Sequence, residues 1–171
     1  VLVDSIKGYQ NLCHLLTNLH CHSEAISPDA LSHNSDPSVF FPSHPEGMIA
    51  LLTPESLPSL DRRSLLRAAL LLRRTFGRHN IYITLTRHYS RSTDRINRLL
   101  IDLAQSLSIP LLASNAPLFS HRRCRLLADC FTCLRHHTTL DEAGTLLASN
   151  SERHLKSPDQ MSSLFSDQQQ A

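Results

Sequence analysis

A pair of cysteines followed by two histidines gives this chain one candidate metal site. Cys130 and Cys133 are separated by two residues, and His136 and His137 follow shortly after them. Thiolate sulfur and imidazole nitrogen are ligands that Zn²⁺ prefers, and Cys-X2-Cys is a common half of a zinc site. A complete zinc site would need a second paired motif, and none is present. Helical spacing puts both cysteines on adjacent surface positions of one helix. Attachment of a haem is excluded as well, because its pattern needs His directly after the second cysteine, where this chain has Leu134. We therefore expect core cysteines, with a zinc site as the alternative.

A second candidate pair is His20 and His22, which alternate as two ligands on a strand would. Alternation along an extended chain places both side chains on the same face. The preceding residues 9–19, however, carry apolar side chains at helical spacing, and no apolar strand run comes before the pair. We expect these histidines at a helix end or in a loop, outside the coordination shell of a metal.

Composition and charge exclude several classes of protein. Lys and Arg number 17 against 15 Asp and Glu, and the resulting charge of +2 is too weak for a stand-alone nucleic-acid binder. The chain has five cysteines, an odd number, and shows neither a secretory signal nor an apolar run of membrane-spanning length. These features favour a reducing, cytoplasmic setting without a membrane. Two basic clusters, at residues 73–79 and 121–125, are read as solvated helix ends, with phosphate contact as the alternative.

Strand-like and helical segments alternate through the first two thirds of the chain. Segments with strand character lie at residues 1–3, 48–52, 81–85 and 109–113. Helical spacing covers residues 9–19, 60–76 and 96–107. This alternation predicts an α/β fold with a parallel sheet and outer helices, and Gly77 is placed to end the second helix. Residues 23–46, interrupted by four prolines, are predicted to be an irregular insertion.

The last third of the chain is predicted to be mainly helical. One apolar helix face is formed by Leu126, Leu127, Cys130, Phe131 and Leu134. Thr139 and Glu142 have the spacing of a capping box, which predicts a helix that starts near Leu140. Ser157 followed by Pro158 marks a final helix. Its apolar face, expected to lack a partner within this chain, consists of Met161, Leu164 and Phe165, and a polar tail follows at residues 166–171.

Several strings in the chain are more particular than these elements require. Residues 139–144 read T-L-D-E-A-G and residues 152–161 read E-R-H-L-K-S-P-D-Q-M. Earlier strings are Gly8-Tyr9-Gln10-Asn11, Gly47-Met48-Ile49-Ala50, and those at residues 82–88 and 109–115. In this order they resemble the PHP domain of the bacterial DNA polymerase III alpha subunit, and most strongly that of its error-prone paralogue.

The resemblance implies a fold and a metal site. It implies a partial PHP domain over residues 1–165, which is a distorted parallel β/α barrel with outer helices and with metal ligands at the carboxyl ends of the strands. Thr84 stands where the family has an acidic ligand, and Ala116 and Leu118 stand where it has Asp and His. His88 belongs to a retained Arg-His pair and is the one residue that we carry over as a metal ligand, in a degenerate site. No catalytic or cofactor-binding residue is expected.

The resemblance also implies a function. The chain would be a structural segment of an error-prone C-family DNA-directed DNA polymerase, active in replication and translesion repair synthesis, whose Mg²⁺ ligands lie in another domain. Its partners would be the remaining polymerase domains and replication or repair proteins, with DNA reached through the parent polymerase. One alternative is a PHP phosphoesterase that holds residual Zn²⁺ or Mn²⁺ through His88 with His20, His22 and Cys130. The other is a small zinc-stabilised interaction module.

Overall fold

The chain forms alternating strands and helices, seen here in a computed structural model that describes residues 1–21, 45–54 and 61–168. The elements are β1 (Leu2–Val3), α1 (Ile6–Cys21), β2 (Met48–Leu52), α2 (Arg62–Phe76), β3 (Ile81–Thr86), α3 (Arg91–Leu107), β4 (Leu111–Ser114), α4 (Arg125–His136) and α5 (Pro158–Leu164). Short 3-10 turns lie at Arg122–Cys124 and Gly144–Leu146. Nearly all of the predicted insertion at residues 23–46 lies outside the described residues. Across the described ranges, no helix is both long enough and apolar enough to cross a membrane.

The strands form one sheet in the order β1-β2-β3-β4. β2 and β3 are parallel, with Ala50 opposite Ile81, whereas β1 runs antiparallel to β2, with Leu2 opposite Ile49. The predicted α/β class is confirmed, but the prediction of a parallel sheet is wrong for β1. An edge strand of only two residues has no periodicity from which its direction could be predicted.

Packing divides the chain into two compact units, each with its own interior. The first comprises Val1–Thr84 and Arg98–Leu112, and the second comprises Leu85–Asn97 and Ala113–Ala171. The first unit has an apolar core that includes Met48, Leu52, Leu65, Ala69, Phe76, Ile81, Ile83, Leu100, Leu103 and Ile109. Its helix α2 is capped at the N-terminus by Asp61, whose carboxylate accepts from two backbone N–H groups, and is followed by Gly77, as predicted.

Helix α1 packs through its small and polar residues. Gly8, Asn11 and Leu15 are buried, whereas Tyr9 and Leu16 of the predicted apolar face are exposed. A Cβ atom on Gly8 would overlap the carbonyl oxygen of Gly47 in the turn before β2. The Asn11 side chain donates to the carbonyl oxygen of Glu46 at 2.9 Å. The predicted apolar face is therefore partly wrong, because a close backbone approach at glycine decides how this helix is oriented.

The second unit has an interior that is unusually polar. Its buried apolar residues among those described are Leu85, Phe119, Cys133, Ala143 and Phe165. Its buried polar residues are Thr86, Asn97, Asn115, Asp129, Glu152 and His154. Buried polar groups are costly unless each finds a hydrogen-bond partner, so the stability of this unit depends on how well those partners are supplied.

Three predictions for the second unit have different outcomes. Helix α5 is confirmed, with a capping box between Ser157 and Gln160. The helix predicted from Leu140 is wrong: the chain forms a turn there and then a single 3-10 turn, because Gly144 has a φ of +47° that an α-helix cannot continue through. The expectation that the α5 apolar face lacks a partner is wrong for Phe165, which is buried.

Helix α4 is correctly predicted, but its apolar face is not the side that packs. Its packed side carries Asp129 and Cys133, while most of the predicted apolar face is exposed. Arg125 fixes this orientation, since its Nε lies 3.4 Å from Asp129 Oδ2 and its guanidinium donates to the Ala148 carbonyl oxygen at 2.6 Å. The contacts of Arg125, and not the apolar periodicity, therefore determine which side of the helix is packed.

The contact between α1 and the turn before β2 predicts that a glycine-to-alanine change in this helix lowers the stability of the fold, which is opposite to its usual effect. Alanine normally stabilises a helix relative to glycine by about 0.5–1 kcal/mol. Gly8→Ala should instead lower the free energy of unfolding by about 1–3 kcal/mol, the usual cost of overpacking a tight contact. Chemical denaturation of the variant beside Lys7→Ala, an exposed neighbour, measures this effect. Equal or greater stability of Gly8→Ala would refute the close approach.

Candidate functional site

His88, the candidate metal ligand, lies just beyond β3 and bonds to backbone groups. Its Nε2 atom lies 2.9 Å from the carbonyl oxygen of Asn115. As the carbonyl can only accept, Nε2 carries the proton in this bond, and in the neutral ring Nδ1 keeps the lone pair. The His88 carbonyl oxygen in turn accepts from the side chain of Asn150 at 2.7 Å. The residue thus ties the end of β3 to the segments that begin at residues 115 and 150.

Asn115 is the hub of these hydrogen bonds. Its Nδ2 atom donates to the carbonyl oxygens of Glu152, at 3.1 Å, and His154. Arg153 strengthens the same connection, because its Nε donates to the Ala116 carbonyl oxygen at 2.9 Å. Backbone hydrogen bonds and a parallel β-bridge between Phe119 and His154 extend the connection between the two segments. The segment that follows β4 and the E-R-H-L-K string are therefore joined as neighbouring extended chains.

Glu152 carries a buried negative charge between two cations. Its Oε1 lies 3.0 Å from Arg122 Nη2, and its Oε2 lies 3.2 Å from Lys156 Nζ. The Lys156 side chain is only 6% exposed and also donates to the Glu152 carbonyl oxygen at 2.6 Å. Because a buried ammonium needs both charge compensation and hydrogen bonds, Glu152 and Lys156 depend on each other.

The E-R-H-L-K string alternates its side chains as an extended segment does. Glu152, His154 and Lys156 line one cavity of about 360 Å³, whereas Arg153 lines a different cavity of about 350 Å³ with His88 and Asp129. The second cavity is edged by several hydroxyl groups, from Ser90, Ser92, Thr93, Thr132, Thr145 and Ser149. The cavity that contains Arg153 and His88 is the more polar of the two.

Arg87, the partner of His88 in the retained pair, binds the end of α5. Its guanidinium forms two hydrogen bonds to the Asp167 carboxylate, at 2.6 and 2.7 Å, and a third to the Leu164 carbonyl oxygen at 2.7 Å. It also lies over the Phe165 ring, 4.9 Å from the centroid. The hydrogen bond from Arg87 lowers the pKa of the Asp167 carboxyl, and the same bond raises the pKa of Arg87. The pair remains charged at neutral pH.

The resemblance implies metal ligands at three further positions, which are occupied here by Thr84, Ala116 and Leu118. Thr84 is buried in the first unit, where its hydroxyl donates to the Leu52 carbonyl oxygen at 3.0 Å. In the second unit, Ala116 has a φ of +41° and Leu118 is exposed. Neither an alanine methyl nor a leucine side chain can donate an electron pair to a metal.

The other candidate ligands that the structure describes lie on α1 and α4 or directly after α4. Cys133 is buried, as predicted, and burial raises the pKa of its thiol, with Cys130 and then Asp129 adding to the shift. His20 is exposed in the last turn of α1, and His22 lies outside the described residues. Within residues 1–21, 45–54 and 61–168, no group of three or more His, Cys, Asp or Glu side chains has an arrangement that could hold a metal ion.

Sequence reasoning missed three residues that organise this region: Asn115, Lys156 and Asp167. The alternation of Glu152, His154 and Lys156 was a usable signal, because period 2 places these side chains on one face. Asn115 carried no such signal, since its role depends on carbonyl groups nearly forty residues away in the chain. Asp167 stood in a stretch read as a tail, and its partner Arg87 is distant in sequence.

Comparison with known proteins gives a consistent result. The chain is 34% identical over 171 residues to the error-prone DNA polymerase of Pseudomonas syringae pv. syringae, and 30% identical over 165 residues to that of Pseudomonas fluorescens. It is also 30% identical over 165 residues to error-prone DNA polymerase 1 of Rhizobium meliloti.

These alignments cover 96–98% of this chain but only 14–15% of each relative. No protein-family model matches the chain. Identity at this level over almost the whole chain, repeated in several relatives, establishes common descent with one segment of those enzymes. By sequence, the chain is a relative of one segment of error-prone DNA polymerases and spans about 15% of the length of these enzymes.

Proposed function

We propose that the chain acts as the PHP-region segment of an error-prone C-family DNA polymerase and that its role there is structural. The observation that carries this proposal is the alignment of 96–98% of the chain with polymerases of that name. Because the chain spans about 15% of their length, the polymerase reaction would use residues elsewhere. The domain would cover residues 1–165, as a partial distorted β/α barrel with outer helices.

The contacts of the family strings support a structural role. Gly8 lies against the backbone of Gly47, and the Asn11 side chain donates to the carbonyl oxygen of Glu46. The strings that begin at Gly8 and at Gly47, both of which carry the resemblance, are therefore in contact. In the second unit, the E-R-H-L-K string bonds to the segment that follows β4. Such residues fix backbone positions, which is what a scaffold within a larger enzyme requires.

We further propose that the metal site is degenerate. Thr84, Ala116 and Leu118 replace the ligands that the resemblance implies, and the described residues include no group of three or more His, Cys, Asp or Glu side chains that could hold a metal ion. In their place, hydrogen bonds of Asn115 connect the segments that follow β3 and β4 to each other and to the backbone at Glu152 and His154. No cofactor is proposed for the segment, and Mg²⁺ would serve the catalytic domain of the parent polymerase.

The setting and partners follow from this proposal. The segment would work in the cytoplasm beside the remaining polymerase domains and replication or repair proteins. Its small positive charge of +2 supports contact with DNA through the parent enzyme, because a near-neutral surface binds phosphate weakly on its own.

A chimera tests the proposed function. The aligned segment of the Pseudomonas syringae pv. syringae polymerase would be replaced by this chain, and primer extension would be compared with that of the unaltered enzyme and of a segment deletion. We expect the chimera to extend primers and the deletion to lose this activity, because the segment supplies a scaffold. A chimera as inactive as the deletion, in the presence of an active unaltered enzyme, would overturn the proposal.

The charge network around Glu152 gives a second prediction for the scaffold. Glu152→Gln removes the charge that compensates buried Lys156, and should lower the free energy of unfolding by about 3 kcal/mol, the order expected for a broken buried ion pair. Glu142→Gln is the matched control, because Glu142 is exposed and accepts only from Thr139. Thermal unfolding of both variants measures the difference, and equal melting temperatures would contradict the network.

A further inference from the structure

Helix α4 presents an apolar stripe to solvent, defined here as Leu126, Leu127, Phe131 and Leu134. These four side chains are between 60% and 69% exposed, and half-buried Cys130 lies among them. At 3.6 residues per turn they share one side of the helix, next to the buried side that carries Asp129 and Cys133. Isolated exposed apolar residues are normal, but a contiguous set on one helix face marks a surface that another element covers.

The orientation of α4 is not free to change so as to bury the stripe. Asp129 is 8% exposed and pairs with Arg125, which also donates to the Ala148 carbonyl oxygen. Rotating the helix to bury the stripe would break these bonds and leave buried polar groups without partners. The described residues of the second unit therefore keep the stripe exposed, and its partner must come from elsewhere.

The charges around the stripe indicate the chemistry of that partner. On α4 and directly at its two ends, the exposed ionisable residues are basic and include Arg123, Arg135, His136 and His137. The one acid within α4, Asp129, is buried and already paired. A partner that carries apolar side chains flanked by carboxylates complements this surface. A second copy of the chain does not, because pairing two α4 helices in either direction brings arginines of one copy near arginines of the other.

We propose that the stripe docks an amphipathic helix with acidic flanks, supplied by the part of an error-prone polymerase that lies outside the aligned segment. Assignment to the polymerase rests on the proposed function, whereas the partner's chemistry rests only on α4. The relatives extend far beyond the segment, which makes up 14–15% of their length. A covalently linked element has a high effective concentration, which favours it over a separate protein.

Two designed peptides test the partner's chemistry with the 171-residue chain. Both form one amphipathic helix with leucines at i, i+3, i+4 and i+7, and they differ only in flanking Glu or Lys residues. Fluorescence anisotropy should show the Glu peptide binding about tenfold more tightly, which corresponds to about 1.4 kcal/mol. The double variant Arg123→Glu/Arg135→Glu should reverse this preference.

Controls separate the stripe from general hydrophobic binding. Phe131→Ala should weaken binding of the Glu peptide, whereas Leu155→Ala should not, since Leu155 is equally exposed but lies outside α4. Failure of the Glu peptide to bind, equal affinity for both peptides, or equal effects of the two alanine variants would each overturn the docking chemistry.

The source of the partner is tested in the polymerase chimera. A photo-crosslinking residue at position 131, with position 155 as its control, should join α4 to polymerase sequence outside the segment. Crosslinks confined to residues 1–171, crosslinks to a second molecule, or none from position 131 would overturn this assignment. A chimera that does not extend primers would count against the proposed function instead, while the peptide experiment would still decide the chemistry of the stripe.

Discussion

The hydrogen bonds of Asn115 are the constraint on which the second unit depends. One side-chain amide holds the backbone at Glu152 and His154, while the backbone of Asn115 itself accepts from His88. A unit with so few buried apolar residues gains little from hydrophobic burial, so unmet polar groups would be especially damaging to it. Its stability therefore comes from matching donors with acceptors across distant parts of the chain.

The two units reach stability in different ways. The first buries aliphatic side chains from the sheet and its helices, and it places α1 through a contact between two glycine backbones. The second uses side chains to hold backbone carbonyl groups, with Glu152 compensating the buried charge of Lys156. A polar interior of this kind also explains why α4 faces inward with Asp129 and leaves its leucines outside.

The sequence predicted the positions of helices and strands along the chain better than it predicted which of their faces are packed. Apolar runs and caps placed β2, α2, β3, α3, β4 and α5 within a few residues, because those signals are local. The packed faces of α1 and α4 were predicted poorly, since Gly8 and Asp129 act through groups distant in sequence. For the candidate site, the resemblance identified Arg87, His88 and the E-R-H-L-K string. Periodicity could not show that Asn115 would connect them, because the partners of its hydrogen bonds do not recur at a regular spacing in the sequence.

We propose that hydrogen bonds around Asn115, and not a metal ion, hold together the segments that follow β3 and β4. The most direct measurement is the metal content of the purified 171-residue chain by mass spectrometry, after exposure to Zn²⁺ and Mn²⁺ and removal of excess ions. Our account predicts a metal content well below one ion per chain, with no difference between the native chain and His88→Ala. One or more tightly bound ions per chain, lost in His88→Ala, would contradict it.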